Sequence, residues 1–535
     1  MAGRLASLAP PMVARARAAI DALRRRAAGM HPAAWLVLLA SVIFMAVFGS
    51  LGVQNHRNFG TWSYDMGIYD QAVWLLSRGG DTFMSVRGLD VWGHHVNPVL
   101  YLLVPFYWLG AGPSFLYVVQ AIALGAAAWP AYLIARDRFS NPWMGLVWGV
   151  VVLLYAPLQW ISWAMFHPEA FVITPMLYAW WFAGRERWRW AYAMVLLALC
   201  AREDVALAVA MMGLVLPWHL RRSPQRRAVL LRCGGLVALG VVWYLVATRF
   251  VLPWFNGGKE PFYVTYFYGN YGSNVPEILS NVVSNPSWVW RDATAPDRLE
   301  FYRQLSWPLG WMHLLHPLGL LMAAPQMLAS VIGLSPYARM IRYQYTSVMI
   351  APLVISAIHG SRLLWRHRYL KAALPAALLV SAYVTNVMWS PSPLNRRDSQ
   401  VWAVELPRTE SLREAVALVP DGASVSATYQ LLPHLTHRRH AYDWPNPFLV
   451  SVWGNDDCDR LPDPATIEYV VLDKTQIGVG NFDLFDAMIV EGGPFEVIYE
   501  STSVVVLRRT GTSVAVDVAP QEASCSLLDL RYPDR

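Results

Sequence analysis

Apolar residues fall in long runs between residues 35 and 390, and polar residues collect between the runs. Runs of this length predict membrane-spanning helices. The pattern places them at 35–53, 114–135, 142–160, 170–184, 190–201, 205–219, 228–252, 347–360 and 370–389. Two apolar stretches do not fit a simple span. Residues 97–110 are short and carry Pro98, Pro105 and Gly110, which predicts a re-entrant or surface-lying segment. Residues 308–334 are broken by Pro and Gly and read as two short spans or as a re-entrant hairpin. After residue 396 the pattern becomes that of a soluble domain. A helix is predicted over 409–418, and β-rich runs lie at 424–428, 469–472, 497–499 and 504–507, separated by turn residues. The expected fold is an α-helical polytopic membrane protein of about nine to eleven transmembrane helices with a C-terminal external α/β domain. The expected partition is a basic arm over 1–34, a membrane domain over 35–395 with external loops 54–96 and 253–307, and the α/β domain over 396–535.

Charge placement supplies an orientation. Segments 136–141, 185–189, 220–227 and 361–369 hold Arg136, Arg138, Arg185, Arg187, Arg189, Arg221, Arg222, Arg226, Arg227, Arg362, Arg366 and Arg368. Arginines gather on the cytoplasmic side of membrane proteins. The opposite face then receives loop 54–96, the loop near His167, the turn at Arg202, loop 253–307 and the tail. Counting 308–334 as two spans or none leaves the tail on that face. Arg15, Arg17, Arg24, Arg25 and Arg26 precede the first run, and no clear cleavage site follows it. This predicts an uncleaved first helix with its N-terminus in the cytoplasm, preceded by an arm on anionic lipid. The expected location is the inner (plasma) membrane.

Composition agrees. The chain is 56% hydrophobic and 15% charged, against about 25% charged in soluble proteins. Its 26 Trp and 25 Tyr suit membrane–water interfaces. The net charge of +7 sits largely in the arginine clusters, so the bilayer is the expected partner and nucleic acid is not. Cys200 and Cys233 lie in apolar runs and read as core residues. Cys458 and Cys525 lie in the tail, where pairing is open. No zinc spacing, no Gly-rich nucleotide fingerprint and no fixed-period repeat is present.

Ionisable groups near membrane depth are functional candidates because they cost free energy there. Four polar clusters fall on the outer side. The first, Tyr64-Asp65-Met66-Gly67-Ile68-Tyr69-Asp70-Gln71, offers a carboxylate that can serve as general base or hold a divalent cation. On a helix Asp65 and Asp70 would lie about 140° apart, so they would not share a face. The competing reading has Asp65 capping a helix that covers Ile68, Ala72 and Val73, with Asp70 solvated. The second cluster holds His94 and His95, which point different ways; one can meet a phosphate or metal, or simply be an interfacial histidine. The third is Phe166-His167-Pro168-Glu169, where Glu169 also suits a helix dipole. The fourth is Arg202-Glu203-Asp204, an arginine for a phosphate with acids beside it, or a marker of the membrane surface. A weaker group, Arg339, Arg342, Gln344 and Tyr345, runs against the positive-inside trend, so a bound anion or a lipid head group suits it. Together these residues suit a lipid-linked phosphosugar held between helices, with a carboxylate deprotonating the incoming hydroxyl.

The segment Asp65-Met66-Gly67-Ile68-Tyr69-Asp70-Gln71-Ala72-Val73-Trp74, the His94/His95-x-Asn-Pro segment, Phe166-His167-Pro168-Glu169 and Arg202-Glu203-Asp204 resemble the bacterial membrane-protein family catalogued as domain of unknown function 2079. Ala423–Thr428 and Leu432-Pro433-His434-Leu435 also look like that family. The family looks like a distant relative of GT-C glycosyltransferases, multi-span enzymes that use polyprenyl-phosphate sugars. Those enzymes place a catalytic Asp or Glu in the first external loop, and Asp65 sits there. One departure is that loop 54–96 has no adjacent acidic pair and no Asp-x-Asp, which puts metal dependence in doubt. The resemblance implies an inverting glycosyltransferase on the outer face, with a polyprenyl-phosphate sugar as donor and an envelope glycan, lipid or protein as acceptor. Asp65 would be the base. His167, Arg202 and Arg342 would hold the donor phosphate. Asp70, His94, His95, Glu169, Glu203, Asp204, Gln344 and Tyr345 would orient them or contact substrate. No cofactor is certain, and a divalent cation is an option. The alternatives are a transporter or flippase of a lipid-linked or envelope precursor, marked by paired broken helices and mid-bilayer charges, and a non-catalytic envelope-assembly protein.

Overall fold

The computed structural model describes residues 21, 29–258, 263–395, 405–449, 451–454 and 462–511. Cys458, Cys525 and the N-terminal arginine group lie outside the described residues. Among the described residues five helices are long and apolar enough to cross a membrane: Pro32–Arg57, Pro113–Phe139, Arg226–Phe255, Gln344–Leu364 and Arg368–Trp389. A bent pair, Pro142–Leu154 and Ala156–Trp163, passes the same test as one span with a 45° bend. Three shorter apolar helices follow the expected pattern: Ala170–Gly184, Trp188–Leu199 and Val205–His219. Gln344–Leu364 is the innermost of the long helices, while Arg226–Phe255 and Arg368–Trp389 bury little of their surface.

The short helices have a consequence for the interior. At 1.5 Å per residue a helix of this size spans roughly 20 Å, less than the ~30 Å apolar thickness of a bilayer. The loop before the first of them and the turn between the second and third therefore sit inside the protein, and Glu169, Arg202 and Glu203 are 1%, 7% and 5% exposed. Buried polar backbone at such turns needs internal partners. Gln120, on Pro113–Phe139, supplies them to the loop after the bent pair. Its Nε2 donates to the carbonyls of Ile161 (2.8 Å) and Met165 (2.5 Å), and its Oε1 accepts from His167 N (2.8 Å).

Residues 307–332 form a re-entrant hairpin of short helical pieces. Ser381 Oγ donates to the Trp307 carbonyl at 2.6 Å. The chain then descends until Met312 packs on Gly360 and His316 stacks on His359 at 5.1 Å. It returns to the N-terminal end of Gln344–Leu364, where Gln326 Nε2 donates to the Tyr345 carbonyl at 3.3 Å. A Cβ on Gly360 would overlap the Met312 carbonyl, so a glycine is required there. Residues 98–107 lie as short helical turns with Tyr101, Leu102, Phe106, Trp108 and Leu109 beside them exposed, an apolar rim on the outer surface.

The tail carries a five-stranded sheet. We number its strands after the small hairpin β1 (Phe83–Met84) and β2 (Leu89–Asp90): β3 (Val425–Ala427), β4 (Ala441–Asp443), β5 (Tyr469–Asp473), β6 (Phe495–Glu500) and β7 (Val504–Arg509). The order is β4-β3-β5-β7-β6, with β3 parallel to β4 and β5 and the remaining pairs antiparallel. Alternate residues face opposite sides of a strand. Val470, Leu472, Val505 and Leu507 pack with Leu484 and Met488 of the helix Phe482–Ile489. Val425, Val471, Val504 and Val506 share a core with Met66, Ile68 and Val73 of the first loop. The sheet and the first loop therefore lie on the same side of the membrane helices. Arginines gather at the other end, where Arg185 pairs with Asp137 at 2.6 Å and Arg362 Nε donates to the Arg138 carbonyl at 3.1 Å.

Candidate functional site

Asp65 occupies a kinked turn, Ser63–Gly67, with φ 75° and ψ −81°. Non-glycine residues avoid this region unless neighbours hold them there. Asp65 does not cap the following helix. That helix, Ile68–Arg78, starts after Gly67 with no side-chain cap. The strained turn instead leaves the Asp65 side chain 32% exposed, with Oδ1 3.2 Å from the buried His167 Nε2. Among the described residues neither ring nitrogen of His167 has a hydrogen-bond partner, and Asp65 meets Nε2 as an ion pair. Burial opposes charge on His167, but the Asp65 carboxylate outweighs it and holds the imidazole above its ordinary value.

The other polar clusters join this pair. The Tyr69 ring lies 5.7 Å from His167 and 6.1 Å from His94. Arg202 is held on both sides: Asp204 takes its Nε (2.8 Å) and a second guanidinium nitrogen, and Glu169 takes the third. Glu203 turns away to His95 Nδ1 (2.9 Å) and to the Val96 backbone N–H (3.0 Å). Burial pushes the Glu203 carboxyl up, but His95 and then Arg202 pull it below its ordinary value. Asp65, His95, His167, Glu169, Arg202, Glu203 and Asp204 thus form one region with more carboxylates than cations. Among the described residues no three His, Cys, Asp or Glu converge to hold a metal ion.

Asp70 is not solvated. It is fully buried and accepts from Tyr107 (2.6 Å) and Thr436 (2.5 Å), with His437 Nε2 at 3.1 Å. It ties the first loop to the tail and stands apart from the Asp65 pair. Gln344 buries an Oε1 that has no partner among the described residues, and the Tyr345 ring meets Phe267 at 5.9 Å. Arg339 is a framework residue, bonded to Asp297 (2.8 Å) and to the Ser335 carbonyl (3.1 Å).

Arg342 differs from Arg202. Its guanidinium lies 4.7 Å over the Trp160 ring, at the edge of a groove of about 350 Å³. Trp160, Gln304, Met388 and Trp389 line that groove. Trp160 contacts Trp163 (5.1 Å), which contacts Trp62 (5.8 Å), three residues before Asp65. The groove and the Asp65 turn are therefore neighbours. A larger open depression, lined by Arg136, Asp137, Asn141 and Arg185, lies at the opposite end and holds none of these residues.

The model of the family described as predicted membrane protein (DUF2079) matches residues 55–481. The chain belongs to that family. For this DUF2079 protein no curated protein sequence matches. Its fold is similar to the crystal structure of ArnT from Cupriavidus metallidurans bound to undecaprenyl phosphate. The match covers 90% of this chain and 99% of that chain, with a TM-score of 0.51 and 12% sequence identity. At that identity the likeness speaks for the fold, which is GT-C-like: a multi-helix membrane part with a small sheet region at the C-terminal end.

Tyr69, Tyr429, Gln120, Thr436, His437 and Asp443 were not singled out from sequence. Tyr69 lies inside the first motif and was legible there. The tail residues had no local signal, because their partners are more than 350 positions away.

Proposed function

We propose that this protein is a membrane glycosyltransferase acting on the outer face, moving a sugar from a polyprenyl-phosphate donor to an envelope acceptor. The observation that carries this reading is the half-exposed Asp65 carboxylate beside the buried His167, at the sheet-bearing end of a GT-C-like fold. The arginine-rich far end supports the orientation, since that end belongs in the cytoplasm. Asp65 takes the proton of the acceptor hydroxyl as that oxygen bonds the anomeric carbon. The bond from that carbon to the phosphate oxygen breaks, and polyprenyl phosphate leaves with the electron pair. A positioned base is worth about 10²–10⁴-fold.

Arg342 suits the leaving phosphate better than Arg202. It is exposed and sits over an aromatic ring beside the groove, whereas Arg202 already satisfies Asp204 and Glu169. Arg202, Glu169 and Asp204 then serve as framework, and Glu203 orients His95. The polyprenyl chain would lie along the exposed flank of Arg368–Trp389, whose outer end forms one wall of the groove.

The test is the envelope-glycan profile of a deletion strain complemented with wild type or Asp65→Asn at equal abundance. A missing sugar restored by wild type and not by Asp65→Asn supports the transferase and names the linkage. Full complementation by Asp65→Asn refutes it. A transporter reading has one observation behind it: His219, His316 and His359 meet inside the bundle at 4.8–5.1 Å, beside the broken hairpin. It expects His359→Leu, and not Asp65→Asn, to abolish complementation.

A further inference from the structure

We propose that the C-terminal sheet, through Ser63 and Asp443, sets the conformation of the turn that presents Asp65, making both positioning residues. This rests on the reading of Asp65 as the base. A strained backbone persists only when its surroundings over-determine it. The residues just before Asp65 are gripped one by one from the tail. The Trp62 ring stacks on Tyr429 at 6.0 Å. Ser63 N donates to the Tyr429 carbonyl at 2.8 Å, and Ser63 Oγ approaches the same carbonyl at 2.9 Å. Ser63 Oγ also bonds Asp443 Oδ1 on β4. Tyr64 OH donates to the Val452 carbonyl at 3.1 Å, and Arg87 reaches that carbonyl at 2.9 Å. These grips fix the backbone on the N-terminal side of Asp65.

Counting protons sharpens the assignment. The Ser63 hydroxyl has one hydrogen, and the Tyr429 carbonyl only accepts. Both Ser63 contacts are hydrogen bonds only if Asp443 supplies the second proton. The resulting chain runs from the Asp443 carboxyl to the Ser63 hydroxyl to the Tyr429 carbonyl. Burial supports this by pushing the Asp443 carboxyl up to about 7, while the Ser63 bond pulls it down. The charged or titratable groups that face Asp443 are Tyr64 and Tyr429, with Arg87 beyond the Tyr64 ring. Asn at 443 keeps the donor and removes the ionisation.

The experiment compares Asp443→Asn, Asp443→Ala, Ser63→Ala and Asp65→Asn in the deletion strain, at matched abundance and thermal midpoint. Product is measured as restored glycan and as initial rates in washed membranes. We expect Asp443→Asn to stay within about two-fold of wild type, and both alanine variants to fall about ten-fold or more, since small misplacement of a reacting group is costly. We also expect the wild-type rate to fall between about pH 6 and pH 8 as Asp443 ionises, and Asp443→Asn to lack that fall. Alanine variants at wild-type rates, or an Asn variant as poor as Ala, would overturn the proposal. Should Asp443→Ala fail to accumulate, Ser63→Ala carries the test. An active Asp65→Asn would instead overturn the transferase reading itself, so the two failures are distinguishable.

Discussion

Both ends of the helical bundle are rich in charge, yet they use it differently. At the arginine-rich end the pair Arg185–Asp137 has side chains 40% and 30% exposed. At the opposite end Arg202 and Glu169 are 8% and 2% exposed. The first is screened by water and ions, and exposed pairs contribute about 0–1 kcal/mol. The second exists because the loop before Ala170 and the turn at residues 200–204 lie inside the protein, where charges must satisfy one another. Arginines at one end stay in reach of water. Acids, histidines and an arginine at the other build an interior in which a carboxylate can be aimed.

The sharpest way to break this contrast is Arg202→Met. It leaves Glu169 and Asp204 without their cation, and removing one partner of a buried pair costs about 3–5 kcal/mol. We expect little folded protein in detergent, measured by size-exclusion fluorescence. A variant as stable as wild type would mean that the group is hydrated. Asp65→Asn should act oppositely. Its side chain is partly exposed and its turn is held from outside, so the thermal midpoint should fall only by the His167 pairing it removes, and should match wild type at alkaline pH. Activity should fall by about 10²–10⁴-fold.

His167→Gln sharpens the contrast through pH. The folded imidazole lies above its ordinary value of about 6.5 because of Asp65. Its pairing therefore contributes fully below that unfolded value and is lost as pH rises through the folded one. The gap in thermal midpoint between wild type and His167→Gln should be widest near about pH 6 and close at alkaline pH. A gap that is flat with pH would mean that His167 acts only by packing.

The membrane helices were legible because apolar runs have few other uses, and the outer clusters because charges there lack a cheap explanation. The bend at Tyr155 within 142–163 was less visible. Pro157 marks the start of the second helix but equally suits an uninterrupted one. Strand β4 was missed since three residues flanked by His440 and Trp444-Pro445 show no alternation. The contact of Ser63 with Asp443 spans 380 positions and leaves no local trace. The helix Thr409–Ala417 and strands β3, β5, β6 and β7 lie where helical and β-rich patterns predicted them. What sequence pattern reports is each element's own burial, and what it omits is which distant element covers it.

The smallest expected effect lies at the exposed end. Arg185→Gln removes two donors from Asp137, but Asp137 keeps Trp181 Nε1 at 2.8 Å and Arg136 Nε at 3.0 Å. The remaining charges stay hydrated, so the loss should be under about 1 kcal/mol and should shrink further in high salt. Thermal midpoints in low and high salt check this. A large, salt-independent loss would show that this end is as dry as the Arg202 group. The two ends would then differ only in sign of charge, and burial would no longer explain why one of them carries the aimed carboxylate.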